Sequence, residues 1–71
     1  MEKTIGELES EAAGLELLAA VNFTYADAIK ETFIRTGGRS NLNMGLVYTA
    51  RGNQKMAQAK ILREQALDLA S

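Results

Sequence analysis

Apolar residues recur along the first part of the chain at steps of three and four residues. The residues with this spacing are Ile5, Leu8, Ala12, Leu15 and Leu18. Such spacing places side chains on one face of a helix. Thr4 precedes the series and Glu7 follows three residues later, which is the spacing of a capping box. The pattern predicts a first helix from about Ile5 to Val21.

The stretch from Val21 to Thr24 interrupts good helix formers with poor ones. We expect a break here, with Thr24 capping a second helix. The apolar face of that helix carries Tyr25, Ala26, Ile29 and Phe33. One continuous helix through Thr24 is the alternative, because the three- and four-residue spacing of the apolar residues continues almost unchanged through the interruption.

Glycines predict where the later helices end. Gly37-Gly38 is expected to stop the second helix, since glycine readily adopts the left-handed conformation found at helix ends. Ser40 or Asn41 then caps a third helix over about residues 42–50. Arg51-Gly52-Asn53 is predicted to be a further turn. A fourth helix follows over about residues 54–69, with these residues in phase: Met56, Ala59, Leu62, Ala66 and Leu69.

Composition supports an all-α fold in a single domain, residues 1–71. The chain has 11 Ala, no Pro and only four aromatic residues, a composition typical of helices. The expected architecture is a small bundle of two antiparallel helical hairpins, about four helices, of which the first two can be continuous.

The small size of the chain predicts a partner. A domain of 71 residues buries only about 60% of its unfolded surface, so its core is marginal. Cys and His are absent, which excludes disulfides and the common zinc sites. No metal and no cofactor are therefore expected. Good helix packing within the chain, oligomerisation as a homodimer and docking on another protein remain as ways to supply the missing core, and the last two are favoured.

No membrane association is expected from the sequence. Uninterrupted apolar runs fall well short of the roughly 18 residues that a membrane span requires. The first four residues, Met1 to Thr4, lack the features of a secretory signal. The expected location is the cytoplasm.

Charge is unevenly distributed along the chain. Residues 1–20 contain five Glu and one Lys, whereas residues 35–63 contain four Arg, two Lys and no acidic residue. Attraction between the first and last helices, which would set their register, is the favoured interpretation. A basic surface for an anion is the alternative.

The sequence offers little for catalysis. Without His or Cys, the commonest general bases and nucleophiles near neutral pH are missing. Two carboxylate pairs have a spacing of four residues, Glu7 with Glu11 and Asp27 with Glu31. Such pairs are most simply solvated helix faces. We predict no catalytic residue and no enzymatic activity.

The basic segment carries an alternative function. Gly37-Gly38 followed by a helix start can present backbone amides to a phosphate. The candidate anion-binding residues are Arg35, Arg39, Arg51 and Lys55. On this hypothesis the protein is a small DNA-associated regulator.

Residues 41–70 resemble a single tetratricopeptide repeat. The residues that carry the resemblance are Met44-Gly45, Tyr48, Gly52, Ala57 and the ending Ala66-Leu67-Asp68-Leu69. The resemblance implies a helical hairpin that stacks on a neighbouring hairpin and holds a peptide or a helix.

Taken together, these observations predict a non-enzymatic protein–protein interaction module, such as an adaptor, a chaperone-like protein or a regulatory subunit. A partner helix or peptide would bind in an apolar groove between helices. The candidate partner-binding residues are Tyr25, Phe33, Leu46 and Tyr48. A structural subunit of a larger assembly is a further alternative, and nucleic acid is the less favoured partner.

Overall fold

Two long helices form an antiparallel hairpin in the computed structural model, which describes residues 2–71. Helix α1 spans Ile5–Thr36 and helix α2 spans Arg39–Ala70, with 32 residues in each. The hairpin measures 51 × 19 × 13 Å. The all-α prediction is confirmed, but the expected number of helices is wrong because the described residues form one hairpin instead of two.

The start of α1 agrees with the sequence-based prediction. Thr4 Oγ1 accepts a hydrogen bond from the Glu7 backbone N–H at 3.1 Å, and the Thr4 N–H donates to Glu7 Oε1 at 3.2 Å. This reciprocal pair is a complete capping box. Local chemistry alone therefore determines where α1 begins.

The predicted break between Val21 and Thr24 is absent, and the continuous helix is the correct alternative. Asn22 Nδ2 donates to the Leu18 carbonyl at 2.8 Å, and Thr24 Oγ1 donates to the Ala20 carbonyl at 2.9 Å. Both polar side chains thus bond within the helix instead of capping a new one. Packing against α2 outweighs the weak helix propensity of this stretch.

Gly37 and Gly38 form the turn, as predicted. Both have positive φ, 73° and 105° respectively, and the Gly37 N–H closes α1 by donating to the Phe33 carbonyl at 2.7 Å. The next helix begins at Arg39, earlier than predicted. Asn41 does not cap it, because its Nδ2 donates to the Gly37 carbonyl at 3.2 Å and thereby braces the turn.

The predicted turn at Arg51-Gly52-Asn53 is wrong, since these residues lie inside α2. Gly52 is buried against the ring of Phe23 from α1. A glycine in this position lets the two backbones approach, and it does not end the helix. Residues 41–70, for which the tetratricopeptide resemblance implied a hairpin, are accordingly one continuous helix.

The core is a narrow seam with heptad spacing, as in an antiparallel coiled coil. Small residues recur every seven residues at one seam position over most of the hairpin. In α1 they are Ala12, Ala19 and Ala26, and in α2 they are Gly45, Gly52, Ala59 and Ala66. The other seam position carries larger residues, so that Ile29 of α1 packs over Gly45 of α2. Each layer thus pairs a small side chain with a larger one.

This seam corrects the predicted apolar faces. Leu8 and Ala12 of α1, and Ala59 and Ala66 of α2, are buried as expected. Other residues assigned to the same faces remain substantially exposed, and they are Ile5, Leu18, Tyr25, Met56 and Leu69. A two-helix seam buries only about two positions per heptad, which is narrower than the face the three- and four-residue spacing marks out.

Candidate functional site

The hairpin exposes more surface than a compact protein of its mass. Its accessible surface is 5321 Å², compared with about 4,300 Å² for a compact monomer of 7.7 kDa. Its radius of gyration is 15.9 Å, compared with about 11 Å for a globular domain of 71 residues. The buried apolar residues are five Ala and one Leu. The described residues therefore bury few large side chains. Most of the large apolar side chains lie at the surface instead.

One group of exposed apolar residues forms a groove between the helices beside the turn. This cleft, the turn groove, has a volume of about 410 Å³. Its walls are Asp27, Lys30 and Ile34 of α1 and Leu42, Leu46 and Thr49 of α2. Ile34 is 72% exposed and Leu46 is 61% exposed, so both present apolar surface without a covering residue.

The floor of the turn groove owes its depth to a glycine. Gly45 lines the cleft together with Ala26 and Phe33 of the opposite helix, and it has no side chain to occupy the space there. A larger residue at this seam position would fill the cleft. On the α1 wall, Asp27 and Lys30 stand beside Ile34 with opposite charges. The groove is thus an apolar trough with a mixed polar wall, which suits the side chains of an amphipathic helix.

The opposite side of the hairpin carries two tyrosines in contact. The ring centroids of Tyr25 and Tyr48 lie 5.6 Å apart with an interplanar angle of 34°. The Arg51 guanidinium lies 5.7 Å from the centre of the Tyr48 ring, within cation–π range. This cluster joins α1 to α2 on the side away from the turn groove.

The four predicted partner-binding residues consequently divide between two surfaces. Phe33 and Leu46 line the turn groove, whereas Tyr25 and Tyr48 pair on the other side. Sequence reasoning missed Ile34 and Leu42 as groove residues. The sequence contains a signal for them, because each lies next to the seam on the same side of its helix as the other groove residues.

The four candidate anion-binding residues do not converge on one site. Arg35 and Arg39 flank the turn on α1 and α2, while Arg51 lies over Tyr48. Lys55 is half-buried at a seam position, about 24 Å along the helix from Arg39 at 1.5 Å per residue. The positive charges are therefore dispersed over both helices.

The uneven charge along the chain produces an ion pair between the helices. Arg63 donates to Glu16 through Nε at 2.9 Å and Nη2 at 2.6 Å. The hydrogen bonds from Arg63, assisted by its charge, lower the pKa of Glu16. The hydrogen bond to Glu16 and the charges of Glu16 and Glu9 likewise raise the pKa of Arg63. At this position, attraction between the acidic and basic segments ties α1 to α2 in register.

The described part of the chain offers no metal centre and no membrane-spanning segment. Among residues 2–71 no three acidic side chains gather into a possible metal site. Neither helix has a stretch of the length and apolar character needed to cross a bilayer. Comparisons of the chain with protein-family models, curated proteins and solved structures found no match.

Proposed function

We propose that this protein is a non-enzymatic protein–protein interaction module whose turn groove binds an amphipathic helix or peptide of a partner protein. The observation that carries the proposal is the apolar cleft of about 410 Å³ between the helices. Leu42, Leu46 and Ile34 line it and stay exposed. An apolar helix face laid into such a groove would cover these side chains.

The groove also has features that would select a partner. Asp27 and Lys30 stand about one turn apart on the α1 wall, so a partner helix with complementary charges gains orientation as well as contact. Thr49 bonds its hydroxyl to the Gly45 carbonyl at 2.9 Å, which leaves its methyl group available to the cleft. Leucine or methionine side chains at helical spacing are the expected anchors.

Two considerations favour this proposal over the alternatives. The carboxylate pairs Glu7 with Glu11 and Asp27 with Glu31 are exposed on helix faces, where charged side chains are ordinarily found in folded proteins. The basic residues Arg35, Arg39, Arg51 and Lys55 are spread along the hairpin, whereas nucleic-acid binding needs them on one stripe. An adaptor or regulatory role fits the groove better than a DNA-associated one.

A fluorescence titration tests the proposal. The probe is a 20-residue amphipathic helical peptide with Leu at positions i, i+4 and i+7 and one Trp, since the protein itself contains no Trp. Saturable binding is expected, and Leu46→Glu should weaken it at least tenfold by placing a charge in the groove. Binding should change little between 50 and 200 mM salt, unlike phosphate-driven association.

Leu67→Glu is the matched control, because Leu67 is 69% exposed on α2 but lies far from the groove. It should bind the peptide as the wild type does. Equal losses for both variants would contradict the groove as the binding site. Salt-sensitive binding of duplex DNA that disappears in Arg39→Ala and Arg51→Ala would favour the nucleic-acid alternative.

A further inference from the structure

The side of the hairpin that carries the tyrosine pair presents a group of large exposed apolar side chains, and this surface is here called the tyrosine face. Its large apolar members are Leu18, Val21, Tyr25, Met44, Val47 and Ile61. All six are between 46% and 55% exposed, although they follow the same three- and four-residue spacing as the core seam. Gly14 and Ala28 continue the α1 row as small residues, which lets another helix approach closely.

Charge distinguishes this face from the opposite side of the hairpin. From Gly14 to Thr32, the α1 row of the tyrosine face contains no charged residue, and in α2 the row from Met44 to Gln65 contains only Arg51. The opposite side carries Glu9, Glu16, Asp27, Lys30, Lys60 and Arg63. A solvated surface is normally charged, whereas the tyrosine face combines apolar side chains on both helices with the neutral residues Gln54, Gln58 and Gln65 of α2. This scarcity of charge suits burial against a partner.

We propose that the tyrosine face binds a second copy of this chain, so that two hairpins form a four-helix bundle. This surface is separate from the turn groove, and the inference does not depend on the proposed function. The side chains of Leu18, Val21 and Tyr25 insert between the helices of the partner copy. Bundles whose helices carry a second apolar stripe pack in this way.

The surface area matches what a stable homodimer requires. Two separate hairpins of 5321 Å² expose about 10,600 Å², whereas a compact protein of twice the mass exposes about 7,200 Å². A dimer as compact as an average protein of this mass would therefore bury about 3,400 Å², within the range of about 2,000–5,000 Å² typical of obligate homodimers. A second copy on the tyrosine face is therefore large enough to form a stable homodimer and leaves the turn groove free for a separate partner.

Charge at the ends of the face determines the orientation. Glu7 and Asp68 lie near the open end of the hairpin, and Arg35 lies near the turn, all on this side. Glu7 and Arg35 are each about 20 Å from the level of Val21, at 1.5 Å per residue. A two-fold axis across the hairpin near Val21 brings Glu7 of one copy beside Arg35 of the other. The copies are thus antiparallel, since a parallel arrangement would oppose like charges.

Sedimentation equilibrium of the full chain tests the association. Wild-type protein should sediment as a dimer, with a melting temperature that rises with concentration. Leu18→Glu should lower the association constant at least a hundredfold, whereas Leu67→Glu, the same change on the charged side, should leave the dimer intact. A single-chain mass at every concentration overturns the proposal, as does a dimer unaffected by Leu18→Glu.

A crosslinking experiment covers the case in which Leu18→Glu fails to fold. The chain contains no Cys, so Val21→Cys introduces one thiol close to the proposed two-fold axis. Oxidation should link two chains through this thiol, while Ala20→Cys, one residue away on the charged side, should remain largely uncrosslinked. Equal crosslinking of both variants overturns the interface.

Spin labels distinguish the two orientations. With Gly6→Cys labelled in both copies, a site with no atom within 4 Å of an added Cβ, the antiparallel dimer places the labels about 45 Å apart, twice the distance from Gly6 to Val21 at 1.5 Å per residue. A parallel dimer would bring the labels distinctly closer, because both would lie at the same end of the bundle. The shorter distance would overturn the antiparallel arrangement. Because peptide binding to the turn groove is measured separately, failure of the dimer leaves the proposed function to its own test.

Discussion

Small residues decide how closely the two helices approach. A Cβ atom built on Gly52 would lie 2.5 Å from Cε1 of Phe23, closer than real side-chain contacts allow. At Gly45, one heptad earlier, a Cβ would lie 3.7 Å from Cγ2 of Ile29, which is ordinary van der Waals contact. The two glycines occupy equivalent seam positions, but a side chain has room at Gly45 and none at Gly52.

Alanine substitutions at these glycines should have opposite effects on stability. Gly45→Ala is expected to raise the free energy of unfolding by about 0.5–1 kcal/mol, because alanine favours the helix. Gly52→Ala should lower it by about 1 kcal/mol net, since overpacking costs about 1–3 kcal/mol and outweighs the helix gain. Urea denaturation measures both values, and a stabilised Gly52→Ala protein would contradict the described approach of Phe23.

The ion pair between Glu16 and Arg63 predicts a pH-dependent contribution to stability. The pKa of Glu16 is lowered in the folded protein by the hydrogen bonds from Arg63. The pair therefore stabilises the fold above the pKa of an unfolded glutamate, about 4.3, and this contribution is lost as the pH falls through the lower folded pKa.

Thermal melts of Glu16→Gln and wild type should differ at pH 7 and converge near pH 2–3. The difference at pH 7 should be small and should shrink in high salt, because both side chains are well exposed. Glu31→Gln is the control, since Glu31 makes no ion pair with any residue from 2 to 71. A Glu16→Gln difference that persists at acid pH would show that the carboxylate charge is not responsible.

The two helices differ in how their ends are stabilised. Helix α1 begins with a capping box and has Arg35 in its last turn, where the positive charge interacts favourably with the negative end of the helix dipole. Helix α2 begins after Gly38 without a side-chain cap, and neither its first nor its last turn carries a favourable charge. The formation of α2 thus depends more on packing against α1 and on the geometry of the turn.

Replacement of Gly37 tests the role of the turn. Its φ of 73° and ψ of −161° are strained for any L-residue, so Gly37→Ala should cost about 1–3 kcal/mol. No side chain lies within 4 Å of a Cβ at this position, so the loss would report backbone strain alone. D-alanine, introduced by chemical synthesis, has the mirror-image preference and should equal or exceed glycine in stability.

Guanidinium denaturation of the three proteins measures these differences. Equal losses for L-alanine and D-alanine would show that the added methyl group, and not the sign of φ, is responsible.

At the scale of the whole molecule, neither helix has a core of its own. The buried residues of each lie against the other helix, and most are Ala. Isolated helices of this kind are marginal in water, because most helical stability comes from tertiary packing. The hairpin should therefore fold as one cooperative unit.

Mixing of two synthetic peptides, residues 2–37 and 38–71, checks this cooperativity. Each alone should be weakly helical by circular dichroism, and the mixture should be more helical than the sum of its components. Arg63→Glu in the second peptide should reduce the gain by opposing Glu16. A mixture no more helical than its separate peptides would contradict the dependence of each helix on the other.

Local features of the fold were predictable from the sequence by itself. Thr4 with Glu7 specifies the start of α1, and Gly37-Gly38 specifies its end. These signals depend on hydrogen bonds and backbone angles within a few residues, so the printed sequence contains everything that decides them. The helical composition and the attraction between acidic and basic segments are equally visible.

Only the tertiary structure decided which weak helix signals are overridden. Thr24 does not cap a helix and Gly52 does not end one, because α1 and α2 pack against each other along their whole length. Whether Gly52 breaks a helix depends on Phe23, 29 residues earlier, whose ring occupies the space a side chain would need. The same packing places Phe33 in the turn groove and Tyr25 on the opposite side of the hairpin. Such contacts between distant residues are invisible to spacing and propensity, which act along the chain.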